Sequence, residues 1–151
     1  MALLSPSTPA PSTPAAPRTV ASFEQMLERV RYEGAYSTRR QAQDAVRRVL
    51  EAFGRQLTGD ERGELAARLP QEAAGYLASQ IPTGRPLTGW GFVKDLAEST
   101  GSSPATTRWD TGSVFGVVAR LAGDDLIARI IGQLPDGYAL LFGRPQLVRA
   151  A

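Results

Sequence analysis

The chain has 151 residues and contains neither cysteine nor histidine. Their absence removes disulfides, Cys/His zinc sites, histidine-ligated haem, cysteine nucleophiles and every histidine-based triad. Lysine is almost missing too: Lys94 is the only one. What remains for chemistry is carboxylates, hydroxyls, tyrosine and arginine. A metal site would have to be all-oxygen, hence Mg²⁺ or Ca²⁺. No apolar run approaches the ~20 residues needed to cross a bilayer. The opening stretch "MALLSPSTPA" has neither the basic start nor the long apolar core of a secretory signal. The expectation is a cytoplasmic chain without a membrane partner. The net charge of +2 is too mild to indicate nucleic acid by itself.

The residues that are present divide unevenly. Residues 6–17 read "PSTPAPSTPAAP", in which Pro-Ser-Thr-Pro-Ala occurs twice. Proline fixes φ and removes amide donors, so residues 1–21 are expected to be an extended or disordered tail. That tail is either a solvated tether or a docking and Ser/Thr-Pro phosphorylation segment. Most of the deficit in the 42% hydrophobic content lies there. The remainder suffices for one domain, or for two small halves sharing a core.

From residue 22 onward the pattern is helical. Ser22 and Gln25, then Thr38 and Gln41, are two capping boxes, each pairing a hydroxyl with a glutamine three residues on. Phe23, Met26, Leu27 and Val30 follow the first box at helical spacing as far as Gly34. Ala42, Val46, Val49, Leu50, Phe53 and Leu57 follow the second as one long stripe. "LTGDERGELAARLP" at 57–70 then starts a third helix, capped by Thr58 or Asp60 and interrupted at Pro70. A fourth short helix reaches Tyr76 and Leu77.

After a Pro/Gly linker at 81–90 the plan recurs. Phe92, Val93, Leu96 and Ala97 form a helix ending near Gly101, and Ser103-Pro104 caps the next. That long helix carries Trp109, Val114, Val117, Val118 and Leu121 as its apolar set. Gly112 and Gly116 inside it are expected to permit close helix packing, since each costs ~1 kcal/mol relative to alanine. Gly123-Asp124-Asp125 opens the third helix of this half, Pro135 turns the corner, and Tyr138, Leu141 and Phe142 complete a fourth before Gly143. The expected fold is all-α: two similar four-helix units, 22–80 and 91–143, packed as one bundle-like domain and followed by a tail at 144–151.

"FEQMLERV", "AVRRVLEAFGRQLTGDERGELAARLP" and "VVARLAGDDLIARIIGQLPDGYALLF" together resemble the bacterial family DUF2267 over about residues 22–142. The resemblance lies in order and spacing: a long helix, Leu-x-Gly-Asp-acid, a short helix, Leu-Pro and an aliphatic-aromatic finish. The first copy follows the pattern more closely than the second. It implies a helical fold with no established activity, and it carries over no catalytic residue.

The candidate chemistry has a structural counterpart at each point. Asp60/Glu61 and Asp124/Asp125 suggest oxygen ligands, but neither has the twelve-residue spacing of a calcium loop. Adjacent carboxylates at a helix start also complement the helix dipole, by ~0.3–1 kcal/mol each. Arg29, Arg31, Arg39, Arg40, Arg47 and Arg48, beside Tyr32 and Tyr36, offer a basic face to nucleic acid or an acidic partner. Yet Arg40–Asp44, Asp44–Arg48, Arg47–Glu51 and Glu51–Arg55 have the i,i+4 spacing of a self-paired surface. Trp109 is expected in the core. Trp90, flanked by Gly89 and Gly91, is the better interface candidate. Lys94 has Glu98 at i,i+4 and is expected to be a surface ion pair.

The leading expectation is therefore a non-enzymatic interaction or scaffold module without a cofactor, whose partner is a protein or a second copy. Nucleic-acid association through the arginine face is the alternative. An oxygen-ligand metal enzyme is the third reading.

Overall fold

The computed structural model describes residues 20–144, within which all regular structure is helical. The Pro-rich tail up to residue 19 and the segment 145–151 lie outside the described residues, and with them the tether, docking and phosphorylation readings.

Eight helices follow in order: α1 Phe23–Glu33, α2 Arg39–Gly54, α3 Gly59–Arg68, α4 Gln71–Ala78, α5 Gly89–Thr100, α6 Pro104–Ala122, α7 Asp124–Gln133 and α8 Tyr138–Leu141. Both capping boxes form. Ser22 and Thr38 each accept from the third helical amide, and Gln25 and Gln41 reach back to the cap amides. Ser103 caps α6 through Thr106, with Pro104 in the first turn. Leu69 and Leu134 are both extended, at φ −102°, ψ 155° and φ −98°, ψ 156°. A residue before proline is pushed out of the α region, so Pro70 and Pro135 do turn the two corners.

Several expectations are corrected. Neither Asp60 nor Thr58 makes a side-chain cap bond; Thr58 is the cap residue of α3 and Asp60 lies in its first turn. Gly123, not Asp124, is the cap residue of α7. The 81–90 linker ends early, because Thr88 caps α5 and Trp90 already lies in its first turn. Gly112 and Gly116 do not bring helices together. A Cβ on Gly112 would meet only the side chain of Arg108 on its own helix, and one on Gly116 would meet nothing within 4 Å.

The close approaches occur elsewhere. A Cβ on Gly54, the last residue of α2, would run into the Leu77 carbonyl of α4. Gly89 and Gly137 abut so closely that a Cβ on Gly89 would lie 2.6 Å from the Gly137 carbonyl.

Helix α2 packs against α1 and α4, and α6 against α5, α7 and α8. Between these groups, α1 and α2 meet α6, α2 meets α5, and α3 meets α7. The core is one continuous cluster running from Met26 to Phe142. Its centre is Phe53 of α2. The Phe53 ring lies 6.3 Å from Phe92, 4.9 Å from Phe115, 6.3 Å from Tyr138 and 5.9 Å from Phe142. Phe115 and Phe142 stack at 4.2 Å. Burial of each such side chain contributes ~1.5–3 kcal/mol.

One polar side chain fastens the other side of α2. The Arg62 guanidinium donates to the Gly54 carbonyl, to that of Leu57 at 2.9 Å, to Leu77 at 2.9 Å and to Gln80 at 2.6 Å. Gly54 is the last residue of α2 and Leu57 follows it closely; Leu77 lies in the last turn of α4 and Gln80 just beyond it. The last carbonyls of a helix have no partner within it and carry its negative partial charge. Arg62 supplies donors and positive charge to two helix ends at once.

Arg62→Ala strips donors from four carbonyls and should cost about 3 kcal/mol, read as a lowered urea midpoint at constant m-value. Arg62→Lys, with a charge but no planar fork, should recover only part of it. Gly54→Ala should also destabilise, by about 1–3 kcal/mol from overpacking. Gly116→Ala, in open space within a helix, should stabilise by up to about 1 kcal/mol. Thermal and urea denaturation of the variants check the opposite signs.

Candidate interaction surface

The α1–α2 turn is where the arginine cluster was expected, and the structure divides that cluster. Arg31 pairs with Glu28 at 2.5 Å, and Arg39 reaches the other oxygen of Glu28 at 3.4 Å. Arg47 lies 3.6 Å from Asp44 and 4.0 Å from Glu51. Arg29, Arg40 and Arg48 are exposed and have no ion pair among the described residues. Of the four i,i+4 pairs expected on α2, only Arg47–Glu51 closes. Arg40–Asp44, Asp44–Arg48 and Glu51–Arg55 do not, and Arg55 donates instead to Gln80 at 2.9 Å. The expected Lys94–Glu98 pair is likewise absent among the described ion pairs; both residues are exposed. Exposed ion pairs offer so little energy that side-chain entropy undoes them.

The aromatics of the same turn face different ways. Tyr32 is 78% exposed. Tyr36 is turned inward, and its hydroxyl donates to Asp110 of α6 at 2.6 Å. Burial, then the Asp110 carboxylate, raises its pKa well above the ordinary tyrosine value. Tyr36 thus latches the turn to α6 and is not a free stacking platform. Asp110 also lines a narrow cleft with Arg48, Thr100, Ser102 and Thr107, of about 10 Å³. That is room for a single water.

Trp109 is not in the core. It is 57% exposed, and its Nε1 donates to the Gly34 carbonyl at 2.9 Å. The buried face of α6 runs through Thr107, Thr111, Val114, Phe115 and Val118. Trp109 lies two residues from both threonines, ~200° around the helix. The sequence misleads here because two polar residues, Thr107 and Thr111, mark the inner face. Trp90 is 64% exposed in the first turn of α5.

The two acidic pairs sit apart. Glu61 accepts from Arg129 at 3.4 Å and from Gln133 at 2.7 Å. Arg129 also makes a two-pronged contact with Glu64, at 2.7 and 2.8 Å. At the other end of α3, Arg68 donates to the Ala122 carbonyl just before α7. Helices α3 and α7 are therefore antiparallel. Asp60/Glu61 and Asp124/Asp125 lie at opposite ends of the pair, separated by about ten residues of helix, ~15 Å. One ion cannot be shared between them. Asp124 accepts from Arg144 at 2.7 Å, while Asp60 and Asp125 are exposed.

Arg62, Arg68 and Arg129 went unmarked in the sequence although they tie more of the fold together than the cluster on α2. Their partners are mainly backbone carbonyls or carboxylates distant in sequence, and only the Arg68–Glu64 contact has a local, i,i+4 spacing.

A family model described as "Uncharacterized conserved protein (DUF2267)" matches residues 23–141. Comparison with curated proteins found no match.

The α3–α7 contact sets a pH dependence. Hydrogen bonding to Arg129 holds the Glu64 carboxyl below its usual range, and Arg31 does the same for Glu28. A depressed folded-state pKa gives stability that is present above the unfolded value, about 4.3, and lost as pH falls through the folded one. The urea midpoint should therefore drop below about pH 4. Glu64→Gln should flatten the profile, and 1 M salt should shrink it by screening.

Proposed function

Because this chain belongs to the DUF2267 family, described only as uncharacterized, its role has to be read from its own surfaces, and we propose a non-enzymatic helical interaction or scaffold module. The observation that carries this reading is the placement of the aromatics. Tyr32, Trp90 and Trp109 stand largely exposed on a body with a continuous core. Tryptophan, tyrosine and arginine are the residues that dominate protein–protein contacts. Glu61, Glu64 and Arg129, by contrast, are engaged in joining α3 to α7.

We read the body as two similar four-helix units. Each has the order short helix, long helix, Gly-Asp-acid helix, Leu-Pro corner and short helix. The contacts support that reading: α2 meets α6, α3 meets α7, and α1 on α6 is answered by α5 on α2. A two-fold axis between duplicated halves would produce this pairing. The expected partner is a protein or a second copy, in the cytoplasm. Among the described residues no helix is long and apolar enough to cross a membrane.

The unpaired Arg29, Arg40 and Arg48 favour nucleic acid as a second reading. It requires salt-dependent retention, because phosphate contacts release counterions.

The intact protein, isolated from its own cells, should come with a protein companion or as an oligomer. Trp90→Ala and Trp109→Ala, checked for unchanged circular dichroism, should weaken that association at least about tenfold, as interface anchors do. Recovery only as a lone monomer that turns over a metabolite would sink the proposal. If RNA or DNA is retained instead, Arg40→Gln with Arg48→Gln should release it, while Arg39→Gln with Arg47→Gln, whose charges are already paired, should do less.

A further inference from the structure

Helix α8 has four residues, and it and its C-cap Phe142 bury three large side chains, Tyr138, Leu141 and Phe142. Tyr138 is 0% exposed, and its hydroxyl has no hydrogen-bond partner. The ring lies against Phe53 and Phe92, 6.3 and 5.9 Å away. A phenol buried among hydrocarbon rings forgoes the hydrogen bonds it makes in water, so the closed position of α8 carries a penalty that any opening relieves.

Apart from these ring contacts and the stacking of Phe142 on Phe115, the segment's polar ties to the rest of the protein are few. The Asp136 carbonyl accepts from Gly89 at 2.8 Å, the Leu140 carbonyl from Arg108 at 3.4 Å, and Arg144 pairs with Asp124 at 2.7 Å. Asp124 is 94% exposed at its side chain, and such a pair adds little. The chain enters α8 through Gly137 at φ 103° and leaves it through Gly143 at φ 77°. Both are conformations that suit glycine.

We propose that residues 136–144 are a releasable plug. The segment lifts off the aromatic core as a unit while α2 and α6 stay folded, and the partnerless Tyr138 hydroxyl sets how often it does so. Opening uncovers Phe53, Phe92 and Phe115, the rings on which α8 sits.

Native-state hydrogen exchange of the full chain in dilute denaturant tests this. The amides of Phe142, Gly143 and Arg144, which bond within the segment to Tyr138, Leu140 and Ala139, should exchange at least about 100-fold faster than core amides of α2 and α6. Their rates should depend little on denaturant, as local openings do. Tyr138→Phe keeps the ring and removes the orphan, so it should slow their exchange at least about fivefold. Gly137→Ala strains the closed form and should speed it. Exchange of these amides only together with α2 and α6 would overturn the proposal. So would a Tyr138→Phe variant whose segment exchanges as fast as before, since the hydroxyl would then have a partner.

Discussion

Phe53 is the residue through which the two ends of this chain share one core. Its ring sits on α2 and touches rings from α5, α6 and α8. Short helical segments of about 60 residues bury a modest share of their surface and are marginal alone. One core cluster running from Met26 to Phe142 removes that weakness.

The polar counterpart of Phe53 is Arg62. Helices α2 and α4 come close enough at their C-terminal ends that Gly54 admits no side chain against Leu77. Close packing there leaves carbonyls short of water, and a five-donor guanidinium serves four of them together. Counting back seven residues from each Leu-Pro corner places Arg62 in one half and the buried Ile127 in the other. The second half thus has an apolar side chain at the matching place, and α8, shorter than α4, carries the aromatic plug instead.

For function, the effect of this architecture is to sort charge. Arginines that reach across the fold, Arg62, Arg68 and Arg129, are engaged. Those that project from α1 and α2, Arg29, Arg40 and Arg48, are exposed and have no ion pair among the described residues. Exposed Trp90 and Trp109 add flat amphipathic surface, and Trp109 is held in place by its bond to Gly34. Surface of this kind suits recognition. The acidic pairs, which read as ligands in isolation, contribute to helix starts and to the α3–α7 seam.

Local signals were decided by the sequence itself. The Ser22 and Thr38 boxes, the Ser103-Pro104 start, the two Leu-Pro corners and the stripe from Ala42 to Leu57 depend on groups within four or so residues of one another. Such signals can be read from neighbouring residues alone. The all-helical class and the family followed from them. Tertiary structure alone decided which face of α6 turns inward: burial of Val114, Phe115 and Val118 carries Thr107 and Thr111 in with them and leaves Trp109 outside. It alone chose Gly54, Gly89 and Gly137 over Gly112 and Gly116 for close contact, and it alone paired Arg62 and Arg129 with groups far along the chain. Those choices depend on what lies opposite each residue once the helices pack, and hydrophobic spacing along one helix carries no record of its neighbour.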